Sequence, residues 1–173
     1  TMRVNQTVNV VKWGGSGGTD MTLVTNSNGT DALWYELADP VDGTLNVYIS
    51  LAGATTVLGA SVSYTNGEVR GALYEQDDSA DLTTVSGDEV FDVMKCADAD
   101  SVGSLTAGAS QTALYEDIIA TNTRYGASYE TAAGTTTTMS WTNSGVASFR
   151  HSSVVIKEAA AAASGFPMYA QQQ

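Results

Sequence analysis

The sequence predicts an all-β fold, an antiparallel β-sandwich of roughly ten short strands with little helix. Three observations carry that expectation. Apolar and polar residues alternate with period two along much of the chain. Gly, Asn and Asp interrupt the alternation about every ten residues, as the turns of an all-β domain do. Polarity comes from 22 Thr, 17 Ser and 17 Gly and little from charge, because only 15% of residues are charged. Thr and Val runs such as residues 135–138 lose side-chain freedom in a helix and pack well on a pleated surface.

Taken in order, residues 7–13, 21–25 and 32–37 read as strands, separated by Gly14-Gly15-Ser16-Gly17-Gly18 and by Asn26-Ser27-Asn28-Gly29. Asp39-Pro40-Val41-Asp42-Gly43 has Pro and Gly where a tight turn uses them. The clearest strand is 45–51, where Leu45, Val47, Ile49 and Leu51 share one face. Residues 58–64 repeat the pattern, and the two stretches are expected to pair. Residues 89–96, 112–115, 124–131, 136–141 and 147–157 continue the series. Residues 116–122 could supply one turn of helix. Residues 158–163 hold good helix formers, but a helix that short is marginal alone.

The chain is expected to divide into a β-sandwich domain over residues 1–158 and a C-terminal extension over 159–173. The extension holds five alanines and then Gly165-Phe166-Pro167-Met168-Tyr169. Two readings stay open for it: an apolar docking arm, with Phe166, Pro167, Met168 and Tyr169 as assembly contacts, or a mobile tail. The first residue is Thr1 and no signal-peptide pattern follows, which is the look of a processed or excised product.

Charge excludes some functions. The chain carries 19 acidic and 7 basic residues, a net charge of -12, and the basic residues form no cluster. A nucleic-acid groove needs clustered Lys and Arg, so no nucleic-acid partner is expected. No apolar run approaches a membrane span, so no insertion is expected. Nine of the acids fall between Glu75 and Asp100, opposed only by Lys95, and this stretch reads as an outward-facing acidic rim. Asp77, Asp78, Asp81, Asp98 and Asp100 are the residues that could supply oxygen ligands to a cation. Calcium is the possible cofactor, although no Glu completes an EF-hand; a solvated acidic loop is the plainer reading.

Catalytic chemistry is sparse. His151 is the only histidine, so any Ser-His-Asp or Cys-His site would have to use it. It lies among Phe149, Ser153 and Val155 on one strand face, which is the position of a structural histidine. Gly14-Gly15-Ser16-Gly17-Gly18 matches the nucleophile-elbow spacing G-x-S-x-G, but the elbow needs a helix after the serine and a strand pattern follows. Cys96, the only cysteine, ends the alternation Val90, Asp92, Met94, Cys96 and reads as a small core residue. Trp34 and Tyr35 must face opposite sides of their strand, so at least one is core.

Several phrases resemble a β-sandwich module that recurs in bacterial surface and secreted proteins and in phage particle proteins. They are Val10-Val11-Lys12-Trp13-Gly14-Gly15, Met21-Thr22-Leu23-Val24 and Ala32-Leu33-Trp34-Tyr35-Glu36-Leu37-Ala38-Asp39-Pro40. Further on come Gly43-Thr44-Leu45-Asn46-Val47, Gly87-Asp88-Glu89-Val90-Phe91-Asp92-Val93, Thr138-Met139-Ser140-Trp141 and Val154-Val155-Ile156-Lys157. The resemblance covers residues 10–158 and implies a jelly-roll-like sandwich with no catalytic residues. The chain departs from it in having only polar-leaning residues before Val10 and an extension after Lys157. A sandwich lacking an edge strand can be completed by another chain. The expectation is a non-enzymatic structural or assembly protein, a virion or extracellular surface component that associates with itself or a neighbouring particle protein. The alternative is a glycan-binding adhesion module, with or without calcium, marked by two or three coplanar exposed aromatic rings or by an Asp-lined loop that holds an ion. A hydrolase using Ser16 or Cys96 with His151 is the third reading.

Overall fold

The computed structural model describes residues 2–3, 7–26, 33–38, 45–53, 58–59, 62, 67–97, 103–120, 123–145 and 148–158, and these residues hold strands and no helix. In chain order the strands are β1 (Met2–Arg3), β2 (Val8–Trp13), β3 (Thr19–Asp20), β4 (Thr22–Asn26), β5 (Leu33–Glu36), β6 (Val47–Leu51), β7 (Leu58–Gly59) and β8 (Gly67–Glu75). Then follow β9 (Ser79–Thr83), β10 (Glu89–Ala97), β11 (Leu105–Ala107), β12 (Thr112–Ala120), β13 (Thr123–Thr131), β14 (Thr136–Asn143) and β15 (Ser148–Glu158). Their pairings are antiparallel.

From β8 onward the chain winds as a jelly roll. A five-stranded sheet, β12-β13-β10-β15-β8, lies against a three-stranded sheet, β11-β14-β9. Each connection from β8 to β12 switches sheets, as do those from β13 to β15. Only β12 and β13 form a hairpin within one sheet. A jelly roll divides eight strands between two sheets; here β12 stays beside β13, so the split is five and three.

The two sheets meet through the inward face of each strand. Val90 of β10 and Val155 of β15 pack with Ala80 and Leu82 of β9 and Met139 of β14. Met94 and Cys96 pack with Leu105 of β11 and Trp141 of β14. The opposite face of the large sheet is covered as well: Phe91 and Val154 pack with Trp34 of β5, with Val24, Val69, Val93, Tyr129 and Ile156 around them. Phe91 and Tyr129 stack with centroids 5.7 Å apart. The central strands are therefore covered on both sides, and residues 151–155 of β15 are buried without a break.

Trp141 fits because Gly126, facing it from β13, has no side chain. A β-carbon at Gly126 would stand 2.5 Å from Cη2 and 2.6 Å from Cζ3 of the indole. Gly126→Ala is expected to cost about 1–3 kcal/mol, as overpacking does, read as a lowered urea midpoint with unchanged slope. A midpoint equal to that of the parent would show that the indole moves aside freely.

Among the described residues, strand 45–51 is not paired with residues 58–59, the part of the expected partner 58–64 that forms a strand there. β6 pairs with β2, from Val8↔Leu51 to Trp13↔Val47, and β7 pairs with β1. The choice of partner follows the apolar face: Val11, 1% exposed, is sealed by Val8, Ile49 and Leu51 together with Met21 and Tyr35. Burial there pushes the Tyr35 hydroxyl above its ordinary pKa of 10.0. The turn of helix considered at 116–122 is also absent, since residues 116–120 belong to β12 and are paired with β13.

Strand β8 carries a bulge that matters for electrostatics. Its register to β15 runs Val155↔Gly71 and then Ile156↔Val69, leaving Arg70 as the extra residue. The bulge puts Val69 in the outer-face cluster and Leu73 against the inner one. Arg70 is turned toward Asp88, with Nε 2.8 Å from Oδ2 and Nη2 3.4 Å from Oδ1.

Candidate functional site

An inward position on a strand between two sheets is an apolar position, and a carboxyl group there must find hydrogen-bond donors or pay a large desolvation penalty. Asp92 of β10 occupies such a position, between Val90 and Met94, and is 1% exposed. Its oxygens are fully engaged. Oδ1 accepts from the backbone N–H of Ser128 at 3.0 Å and from the Ser128 hydroxyl at 2.5 Å. Oδ2 accepts from the Trp141 indole N–H at 2.7 Å and lies 2.7 Å from His151 Nε2. The register explains the convergence: Ser128 of β13 is directly opposite Asp92, and His151 of β15 is two residues diagonal to it, opposite Met94. Trp141 arrives from the facing sheet. Four contacts match the acceptor capacity of one carboxylate.

The network continues outward. Gln111, in the turn between β11 and β12, donates from Nε2 to Ser128 Oγ at 2.6 Å and accepts at Oε1 from the backbone N–H of Ser140 at 2.7 Å. The amide reaches that place across Gly108, where a β-carbon would overlap the Gln111 amide oxygen and the Ser140 hydroxyl. Gln111 thereby touches both sheets, through Ser128 of β13 and Ser140 of β14.

Asp88, immediately before β10, forms a second polar cluster. Besides Arg70, it accepts from the Val85 N–H at 2.8 Å, and Thr84 Oγ1 lies 3.1 Å from Thr137 Oγ1 while donating to the Gly134 carbonyl at 2.9 Å. This cluster pins the turn between β9 and β10.

The acidic stretch is thus divided. Asp88 and Asp92 are buried, which corrects the expectation of a uniformly outward rim, whereas Asp77, Asp78 and Asp81 are exposed. Asp77 Oδ1 accepts from the Asp78 N–H at 2.8 Å, closing the β8–β9 turn, and Asp81 Oδ1 accepts from Thr138 Oγ1 at 2.6 Å. Asp98 and Asp100 lie outside the described residues, as do Phe166, Pro167, Met168 and Tyr169. Among the described residues no group of three or more His, Cys, Asp or Glu is placed to hold a metal ion. His151 is a core histidine, 0% exposed. Cys96 is buried and accepts from Asn143 Nδ2 at 3.3 Å. Ser16 sits in the β2–β3 turn, followed by a strand. Trp34 is core, and Tyr48 is the only exposed aromatic ring among the described residues.

Asp92, Ser128, Gln111 and Trp141 were not visible as a site from the sequence. The available signal was Asp92 on the face shared by Val90, Met94 and Cys96: an acid on an apolar face requires a partner, and the sole histidine sat on an equally apolar face.

Fold and site together define the class: an all-β protein of layered antiparallel sheets, a jelly roll closed around a sealed carboxyl network. No protein-family model, curated protein or solved structure matches the chain.

Proposed function

We propose that the protein is a non-enzymatic structural component of a virion or of an extracellular surface, associating with copies of itself or with a neighbouring particle protein. The observation that carries this reading is the sealing of the reactive side chains. Asp92, Ser128, His151 and Cys96 are each 0–1% exposed and are engaged with neighbours inside the core, so an external substrate has no access to them. Such a network serves rigidity.

Association has surfaces available in this reading. β8 and β12 are the two ends of the five-stranded sheet, and an end strand offers backbone groups to a further strand. Leu114 on β12 is 54% exposed. The net charge of -12 keeps a densely repeated protein soluble.

Negative-stain imaging and sedimentation velocity of the native chain test the proposal. Discrete particles, filaments or a defined oligomer are expected, and deletion of residues 165–173 is expected to weaken them. A monodisperse monomer at high concentration would defeat the self-association reading.

A further inference from the structure

The geometry points to a covalent function for the network: an intramolecular ester between Ser128 Oγ and Gln111 Cδ, formed by the chain on itself with release of ammonia. The inference stands apart from the assembly proposal, since a monomer could form the bond equally well.

Three components of acyl transfer stand together. The nucleophile is the Ser128 hydroxyl, whose proton is directed at Asp92 Oδ1 at 2.5 Å, so a base is in hydrogen-bond reach. Asp92 is held from its other side by His151 and Trp141. The electrophile is the Gln111 amide, whose nitrogen is 2.6 Å from that same hydroxyl oxygen. Its carbonyl oxygen receives the Ser140 backbone N–H at 2.7 Å, with Ser140 Oγ at 3.5 Å, and a preorganised N–H at that oxygen is what stabilises a developing oxyanion. Gly108 keeps clear the space through which the amide lies.

The step balances within the chain. Ser128 Oγ bonds to Gln111 Cδ while its proton passes to Asp92, and negative charge gathers on Oε1 against the Ser140 N–H. The Cδ–Nε2 bond then breaks, the nitrogen takes the proton from Asp92, and ammonia leaves. No oxidant, metal or second substrate is required. Ser128 is 0% exposed, so water is kept from the ester once made. Holding reactants in place supplies much of the rate of such reactions, and a single turnover suffices.

The bond would fasten the base of the β12–β13 hairpin, where Thr112 pairs with Tyr129 and Ala113 with Ser128. β12 is an end strand of the large sheet, the position most easily peeled away.

Intact mass spectrometry of the native full chain reads the outcome. The expected mass is lower than that of the sequence by one ammonia, and proteolytic fragments carrying Gln111 and Ser128 are expected to travel as one linked species that brief alkali separates into Ser and Glu peptides. Asp92→Asn and Ser128→Ala are each expected to restore the full mass. A native chain at full sequence mass, with Gln111 and Ser128 in separate unmodified peptides, would overturn the proposal. So would an ammonia loss mapped to Asn28-Gly29 or Asn66-Gly67, where succinimide formation also releases ammonia. If a variant does not fold, the mass and fragment map of the native chain decide alone.

Discussion

Asp92→Ala is expected to lower the stability of the folded chain by about 3–5 kcal/mol, because several buried donors lose one acceptor and each unpaired group costs about 1–3 kcal/mol. The Ser128 N–H, the Ser128 hydroxyl and the Trp141 N–H would lose their acceptor together, and His151 Nε2 would lose its contact. None of these groups reaches water, because Ser128 and His151 are 0% and Trp141 2% exposed. A domain of this size is stable by only about 5–15 kcal/mol, so the loss would be a large fraction of the whole. Urea unfolding followed by circular dichroism measures it. The double variant Asp92→Ala/His151→Ala should cost less than the two single variants summed, because contacting residues couple. A single-variant loss under about 1 kcal/mol, the scale of a surface change, would show that the network is not a fastener.

Trp141→Ala should be of similar size for a different reason. It removes a large side chain from the cluster of Met94, Cys96 and Leu105, and such truncations cost about 3–5 kcal/mol through lost burial and the cavity left behind. It also withdraws one donor from Asp92. Trp141→Phe separates the two contributions, since it keeps most of the ring and loses the N–H. Its cost should be nearer 1–3 kcal/mol, the penalty for an unpaired buried polar group. Equal midpoints for the two variants would mean that the hydrogen bond, and not the packing, accounts for the effect.

These residues explain why the fold was legible in the sequence and the site was not. Period-two alternation identifies a strand, and 89–96 was readable from Val90, Met94 and Cys96 alone. Alternation does not identify a strand's partner, so it could not show that 45–51 lies beside β2; Val11, Ile49 and Leu51 decide that in three dimensions. β9 was hidden by its setting: Ala80 and Leu82 point inward, but they lie among Asp77, Asp78 and Asp81, and acidity was read as loop. β8 was hidden by the bulge at Arg70, which reverses the alternation partway along the strand. The network is a product of topology. Gln111, Ser128, Ser140 and His151 share no spacing, and each comes from a different element. A sequence can mark Asp92 and His151 as polar residues on apolar faces; that they meet depends on β10 and β15 being neighbours.

The pairing of β8 with β15 bears on how the molecule is made. Gly67 is matched to Glu158 and Glu75 to His151, so the jelly roll joins its earliest strand to its latest. Contacts this distant in sequence close slowly. During synthesis the hairpin of β12 and β13 can form from residues a short distance apart, while the matched positions of β8 and β15 are separated by 76 residues from Glu75 to His151 and by 91 from Gly67 to Glu158, so β8 has to wait for its neighbour. Until β15 slides between β8 and β10, the large sheet is open at its centre, Asp92 lacks His151, and two apolar strand edges face the surroundings. β15 is therefore the strand that closes the sheet, and a nascent chain stalled before Ser148 would present those edges to any chaperone or neighbouring copy within reach.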